Sequence, residues 1–157
     1  MKKIEQAKVV ILGIGNLLLG DDGLGVHFVQ MLNKDDLDYA DLEIIDGGIC
    51  PEIVSFVEDA YKLIIVDAIK GGEEPGTIYR FSIDDVMMDP PPRLSLHQVD
   101  LIHSLNILRL LGTEPRDTII LGIEPKNVGW GLELSPEVNE RLAELRRIVI
   151  EEVHKAN

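Results

Sequence analysis

The sequence contains little of what several classes of protein require. Its one cysteine, Cys50, excludes an internal disulfide framework and a zinc site made of several cysteines. The longest apolar runs, such as residues 63–66, are far shorter than the roughly 20 residues that cross a bilayer. The N-terminus has no apolar segment followed by a small-residue cleavage site, so we predict no signal peptide. Together these features predict a cytoplasmic protein without membrane insertion.

Basic residues are also scarce. The chain has 15 lysines and arginines against 28 acidic residues, which gives a net charge of −13. Because nucleic-acid binding needs a basic surface, we predict no nucleic-acid partner. The length of 157 residues favours a single domain, residues 1–157, with a proper core. No exposed heptad or long apolar face is evident, so we expect a monomer.

Short apolar runs alternate with helix-like patterns along the chain. This alternation predicts an α/β fold, a three-layer α/β/α arrangement around a twisted, mostly parallel five-stranded sheet. The predicted strands are residues 8–14, 42–46, 62–68, 76–83 (an edge strand) and 117–123. The predicted helices are residues 23–33, 51–59, 97–112 and 135–153. Ser135 is expected to cap the last helix, whose apolar stripe is Val138, Leu142, Leu145, Val149 and Val153.

The segment GIGNLLLGDDGLG, residues 13–25, stands where a nucleotide-binding protein has its phosphate loop. The dinucleotide pattern fails because its third glycine is Leu18, and the phosphate-loop pattern fails because Asp21 replaces its lysine. Carboxylates would repel a phosphate, so we predict no nucleotide. The glycines permit a tight turn between strand and helix, and one of the two acids is explained by a helix N-terminus.

Polar side chains follow several predicted strands. Asp22 follows the first strand, Asp46 ends the second, Asp67 ends the third, Glu124 follows the fifth, and His97 begins a helix. In parallel sheets these positions meet at one edge, where ligands bind near the point at which the strand order reverses. Asp67 can lie near the first loop if the first and third strands are neighbours.

Asp22, Asp67 and His97 form a credible ligand set for a borderline divalent metal such as nickel or zinc. Three protein ligands would leave coordination positions open for water or for groups of another protein. Two simpler interpretations stand beside this one: Asp67 caps a turn, and His97 is a structural hydrogen-bonding residue. A Cys50–His97 nucleophile pair is also conceivable, although a small hydrophobic role for Cys50 is favoured.

Six segments become recognisable in combination. They are GIGNLLLGDDGLGV, IIDGG, LIIVDA, SLHQ, GIEP and LELSPEV, in this order. The set closely resembles the hydrogenase maturation proteases, the endopeptidases that process the large subunit of nickel–iron hydrogenases. The resemblance runs from about residue 8 to the last helix.

The resemblance implies a peptidase that removes a C-terminal extension from the hydrogenase precursor after nickel insertion. It places metal contacts on Asp22, Asp67 and His97, with the nickel carried by the precursor, and links Asp46 to cleavage or substrate recognition. These four residues are our candidate catalytic residues. The family often has Glu where Asp22 stands, and Asp is a shorter carboxylate.

Two alternatives are kept. A non-catalytic nickel-dependent checkpoint or chaperone for the hydrogenase large subunit would use the same ligands. A peptidyl-tRNA hydrolase-like enzyme is suggested by GIGN, which resembles that family's GLGN, but the net charge of −13 opposes tRNA binding.

Overall fold

The structure, a computed structural model, describes residues 7–49, 54–89 and 95–156. Within these ranges the strands are β1 Val9–Ile14, β2 Leu42–Gly48, β3 Lys62–Ala68, β4 Ile78–Ser82 and β5 Asp117–Ile123. The α-helices are α1 Leu24–Met31, α2 Val54–Val57, α3 Ile83–Met88, α4 Leu96–Leu111, α5 Pro136–Asn139 and α6 Leu142–His154. Short 3-10 helices span Gly20–Gly23 and Lys34–Leu37.

The described strands form one five-stranded sheet in the order β2-β1-β3-β5-β4. Four strands are parallel, and β4 runs antiparallel to β5 at the edge. The mostly parallel sheet and its edge strand are therefore confirmed. β1 has β2 on one side and β3 on the other, so the strand order reverses between β1 and β3. In open α/β sheets, ligands bind outside the carboxyl ends of the strands at this position.

Helices cover both faces of the sheet, as the alternating apolar residues of β1 require. Val9 and Ile11 pack with Phe28 of α1 and with residues of α5 and α6. Val10 and Leu12 pack on the other face with residues of α2, α3 and α4, including Leu105. Since successive side chains of a strand point to opposite faces, the two core clusters give the three-layer architecture.

Helix α1 lies with its backbone directly on the sheet. A Cβ atom added to Gly25 would stand 2.1 Å from the carbonyl oxygen of Val66 and 2.3 Å from that of Ile14. Both obstacles are backbone atoms of the sheet, so no side chain fits there. This contact fixes the start of α1, and the loop before it, against β1 and β3.

The last predicted helix is two helices. The expected stripe of apolar residues is buried, but the helix is interrupted at Glu140 and Arg141, between α5 and α6. Pro136 occupies the first turn of α5, where the missing backbone N–H of proline costs no hydrogen bond. Ser135 does precede the helix, but the prediction that its side chain caps the helix is wrong. The Ser135 hydroxyl makes no capping hydrogen bond to α5 and instead donates to Asp21.

Helix α3 differs from the sequence prediction, which has one strand over residues 76–83 and no helix directly after it. Ser82 and Asp85 form a capping box there, with the Ser82 hydroxyl accepting from Asp85 N and the Asp85 carboxylate accepting from Ser82 N. A helix is predicted over residues 51–59, and in the described part of this range the helix spans Val54–Val57. Cys50 lies outside the described residues.

A buried ion network ties the edge of the sheet where the parallel strands begin. Lys62 Nζ lies 2.8 Å from Glu152 Oε2 and 3.1 Å from Asp117 Oδ2. Glu152 also accepts from Arg80 Nε at 2.8 Å and pairs with Lys155 Nζ at 3.2 Å. Because unpaired buried charges are costly, the network holds α6 against β3, β4 and β5.

The length and composition of a helix decide whether it can cross a membrane. Within residues 7–49, 54–89 and 95–156, none of the helices combines the length and apolar character that crossing a bilayer demands.

Candidate metal-recognition site

Asp67 lies near the end of β3, a strand whose residues are buried along its whole length. Its side chain is 1% exposed. Asp67 Oδ1 accepts from Ala68 N at 2.8 Å, and Oδ2 accepts from the Gln98 side-chain amide at 2.6 Å. A cavity of about 30 Å³, lined mostly by apolar side chains, adjoins Asp67 and Gln98. The carboxyl group is thus held in a largely dry environment.

Asp22 lies in the 3-10 helix that joins β1 to α1. Gly15, with φ +142°, makes this turn possible, because an added Cβ atom would stand 2.0 Å from the carbonyl oxygen of Asp22. Asp22 Oδ2 accepts from Asn16 N at 3.2 Å. The glycines of the loop therefore bring the Asp22 carboxylate back over the end of β1.

His97 lies between the two carboxylates. Its Nε2 atom is 3.4 Å from Asp22 Oδ1, with which it shares a hydrogen bond, and its Nδ1 atom is 3.4 Å from Asp67 Oδ2 without hydrogen-bond geometry. The structure thus brings Asp22, Asp67 and His97 together at the carboxyl end of the strands. We call these three side chains the acid–imidazole site.

Burial and charge act on the three groups in different directions. Burial raises the pKa of Asp67 to about 8, despite the opposing effects of His97 and Gln98. Burial also acts to raise the pKa of Asp22, but the hydrogen bond and charge of His97 outweigh it and lower the pKa overall. The pKa of His97 is raised, because Asp22 and Asp67 outweigh the effect of its burial. The site therefore holds a proton that an incoming cation would displace.

The chemistry of the donors fits a divalent metal such as nickel, but their placement is not closed around an ion. The two carboxylates approach opposite nitrogens of one ring, and a ring presents only one nitrogen to a given ion. Accordingly, no group of three His, Cys, Asp or Glu side chains in the described parts of the chain has the spacing of a metal site. The buried Nδ1 atom of His97 has no hydrogen-bond partner. No hydrogen bond at Nδ1 therefore restrains rotation of the imidazole ring.

Asp46 is placed apart from the acid–imidazole site. It follows Ile44 by two residues on β2, and Ile44 packs against the core on the α1 face. Its carboxylate accepts from the Gln30 side chain of α1 at 3.2 Å and from Gly48 N at 3.0 Å. Asp67 follows Ile65 on the opposite face, which is covered by α4. The assignment of Asp46 to cleavage or substrate recognition stays a prediction.

Gln98 was not singled out from the sequence, yet it positions the site. Its backbone N–H donates to the Ser95 hydroxyl, and its side-chain oxygen accepts from Ser95 N. These two hydrogen bonds form a capping box at the start of α4. The same side chain donates to Asp67 Oδ2 and to the carbonyl oxygen of Ala68. One glutamine thus fixes the helix that carries His97 to the strand that carries Asp67. The pattern SLHQ contains the capping box and could have revealed it.

Asp21 is not among the predicted site residues, and its carboxylate binds a different part of the chain from that of Asp22. Its buried carboxylate accepts from Lys126 N at 2.9 Å, Asn127 N at 3.0 Å and Ser135 N at 2.7 Å, and from the Ser135 hydroxyl at 2.8 Å. These donors belong to the segment that follows β5. Asp21 therefore clamps that segment to the loop that carries Asp22.

Glu124 follows β5 but does not join the acid–imidazole site. Its carboxylate accepts from Gly71 N at 2.7 Å, from Gly72 N at 3.3 Å and from the Tyr79 hydroxyl at 2.8 Å. Burial, followed by the bond to Glu124, raises the pKa of Tyr79 to about 12. Glu124 thus has a structural role in holding the loop after β3.

Comparison with known proteins connects this arrangement with one protein family. The family model described as hydrogenase maturation protease matches residues 26–152. The hydrogenase expression/formation protein HupD of Bradyrhizobium diazoefficiens is 32% identical over 139 residues, which cover 87% of this chain and 72% of that protein.

Two Escherichia coli proteins are also similar. The hydrogenase 2 maturation protease is 32% identical over 135 residues, which cover 83% of this chain and 81% of that protein. The solved structure of the hydrogenase maturating endopeptidase HybD matches with a TM-score of 0.85 and 27% identity, and covers 96% of this chain and 94% of that one.

Proposed function

Because this chain belongs to the hydrogenase maturation protease family, and is an endopeptidase of hydrogenase maturation, we propose that it removes the C-terminal extension of a nickel–iron hydrogenase large-subunit precursor after nickel insertion. The observation that carries this proposal is the acid–imidazole site at the strand-order switch point, with one imidazole between two carboxylates. Membership of the family also removes the peptidyl-tRNA hydrolase alternative.

The precursor's nickel is the natural partner of this site. Asp22, Asp67 and His97 supply oxygen and nitrogen donors that suit nickel, and in this proposal the ion arrives as part of the substrate. Three protein donors cannot complete the coordination of nickel, so ligands from the precursor would remain on it. Recognition of the metal would then make cleavage depend on metal loading.

The chain's own residues would prepare the site for that ion. Gln98 holds Asp67 in place through its 2.6 Å bond, and Asn16 N holds Asp22 through its 3.2 Å bond. Turning His97 would free Nε2 from Asp22 and leave both groups available to one ion. The proton held by the site would leave as the ion binds.

Asp46 is assigned a separate role in this proposal. Its exposed carboxylate lies at the end of β2 on the α1 face, where an incoming peptide can reach it. If it contacts the peptide, Asp46→Asn raises KM and keeps the dependence on nickel. Cleavage with an unchanged KM would remove Asp46 from the substrate-binding residues.

The test is intact-mass analysis of a cognate precursor, with and without nickel, after treatment with the purified protein. We expect loss of a C-terminal peptide only from the nickel-loaded precursor. Asp22→Asn, Asp67→Asn and His97→Ala should each abolish that loss. His103→Ala is the matched control, because His103 is an exposed histidine of the same helix α4 and should leave cleavage unchanged.

Two other outcomes would contradict parts of the proposal. Cleavage that is independent of nickel and of all three site variants would leave a peptidase but refute metal recognition. Tight binding of the loaded precursor without any change in its mass would favour the non-catalytic checkpoint, which uses the same ligands.

A further inference from the structure

The chain's one tryptophan lies on the surface, in the segment after β5 that is bonded to the loop carrying Asp22. The side chain of Trp130 is 84% exposed, that of Leu132 is 67% exposed and that of Leu18 is 51% exposed. We call these three side chains the Trp130 platform. Contiguous exposed apolar groups on a protein surface usually mark a place where a partner binds.

Backbone pairing joins the two segments that carry the platform. Gly131 N donates to the carbonyl oxygen of Leu18 at 2.9 Å, and Gly20 N donates to that of Gly131 at 2.8 Å. Leu19 and Gly131 thereby form a parallel bridge. The loop after β1 and the loop after β5 thus form one surface.

The platform is held rigidly in relation to Asp22. The Asp21 carboxylate takes four hydrogen bonds from the segment that carries Trp130, while Asp21 N donates to the carbonyl oxygen of Asn127 at 2.9 Å. Gly20 has φ +54°, and a Cβ atom there would stand 2.7 Å from the same carbonyl oxygen. Asp21 precedes Asp22 directly, so the clamp and the site share one short turn.

The composition of the platform selects its partner. The chain carries a net charge of −13, yet residues 127–132 and 16–20 contain no charged residue. The platform side chains themselves carry no charge, so an apolar surface would displace only water when it binds them. Tryptophan is also enriched among the residues that contribute most to binding at protein interfaces.

We propose that the Trp130 platform is the docking surface for an apolar patch of the nickel-loaded hydrogenase precursor, and that Asp21 is the positioning residue that presents it. This inference rests on the proposed function, because it names the surface that receives the same substrate. Docking at the platform would deliver the precursor's nickel to Asp22, which follows the platform residue Leu18 by four positions.

The first experiment separates binding from cleavage. Affinity for the nickel-loaded precursor and the values of KM and kcat are measured for wild type, Trp130→Ala and Leu110→Ala. Leu110 is a matched control, because it is 87% exposed near the end of α4 that is remote from His97. We expect Trp130→Ala to weaken binding and raise KM by about tenfold or more, with kcat within about twofold, and Leu110→Ala to resemble wild type.

The outcomes distinguish the two proposals. If wild type cleaves the precursor and Trp130→Ala has the KM of Leu110→Ala, the platform is refuted and the proposed function stands. If wild type binds the precursor without cutting it and Trp130→Ala weakens that binding, the platform stands and the proposed peptidase activity fails.

A second experiment observes the surface directly. Incorporation of 5-fluorotryptophan gives one fluorine resonance, since Trp130 is the chain's one tryptophan. We expect this resonance to shift when the loaded precursor is added, and the shift to be reduced in Ser135→Ala, which removes one of the bonds to Asp21. A shift that follows protein concentration without precursor would assign the platform to a second copy of this chain and overturn the proposal.

Discussion

Asp21 and Asp22 are neighbours in the chain, but their carboxylates bind different elements. Asp21 accepts four hydrogen bonds from the segment after β5, and Asp22 shares a hydrogen bond with His97 of α4. A 3-10 turn makes this divergence possible, because consecutive side chains of a helix point in different directions. One residue therefore stabilises the loop while the next faces the imidazole of His97.

The pair yields a prediction about stability and activity. Asp21→Asn puts an amide NH₂ against groups that already donate, so we expect the free energy of unfolding to fall by about 2–4 kcal/mol. Asp22→Asn should change it by no more than about 1 kcal/mol and should abolish cleavage, because Asp22 has fewer donors to leave unpaired. Urea unfolding and intact-mass analysis of the precursor measure the two effects. Equal stability losses in both variants would contradict the assigned roles.

The close contact of α1 with the sheet predicts the effect of adding one methyl group. In Gly25→Ala the new Cβ atom would meet backbone oxygens of β1 and β3, so α1 must move away from the sheet. We expect a loss of about 3 kcal/mol or more in thermal or urea unfolding. Gly131→Ala is the control, since its Cβ atom would enter open space and should cost less than about 1 kcal/mol. Similar losses in both variants would refute the packing argument.

The ion network predicts a dependence of stability on acid pH. Burial acts to raise the pKa of Glu152, but Arg80, Lys62 and Lys155 outweigh it and lower the pKa to about 2. A carboxylate with a lowered pKa in the folded state binds protons more weakly there than in the unfolded state. Its contribution to stability is therefore complete above its ordinary pKa of 4.5 and is lost as pH falls through about 2.

Comparison with Glu152→Gln isolates this contribution from that of the other carboxylates. At pH 7 the variant should be less stable than wild type by about 2–3 kcal/mol, because the buried Lys62 keeps only Asp117 as a carboxylate partner. The difference between the two proteins should shrink between pH 4.5 and pH 2 in urea unfolding experiments. A difference that stays constant over this range would show that folding does not lower the pKa of Glu152.

Gln98 both caps α4 and binds Asp67, and two variants should distinguish the effects of these two contacts. Ser95→Ala removes the hydroxyl cap of α4 and should cost about 1 kcal/mol of stability with cleavage near the wild-type rate. Gln98→Ala also removes the bond to Asp67 and should lower kcat/KM by about tenfold, the scale of a partner that orients a metal ligand. If both variants cleave alike, the bond from Gln98 to Asp67 has no role in the site.

The three residues of the acid–imidazole site could be predicted because their positions follow from local patterns. A strand of uninterrupted apolar residues ends near Asp67, a capped helix begins beside His97, and a glycine loop precedes Asp22. The meeting of these positions depended on β1 and β3 being neighbours, which the parallel α/β pattern made the natural arrangement. The period of two along β2 also places Asp46 on the α1 face, two residues after Ile44, and this placement could have been read from the sequence.

The roles of Asp21 and Glu124 could not be predicted in the same way. Most of their donors are backbone N–H groups of distant loops, which no residue type marks in the sequence. Ser135 illustrates the ambiguity, since a serine before a proline is typical of a helix cap and its hydroxyl instead binds Asp21. The break between α5 and α6 was equally hidden, because the apolar stripe continues across it.

Strand β3 begins with Lys62 and reaches Asp67 five residues later, so one extended segment joins the ion network to the acid–imidazole site. At about 3.3 Å per residue these two charged positions are about 17 Å apart, with apolar side chains between them. At this distance, changes at separate sites usually have additive effects on stability. A protein engineer could therefore redesign the Lys62 end for heat resistance while leaving the chemistry at the Asp67 end intact.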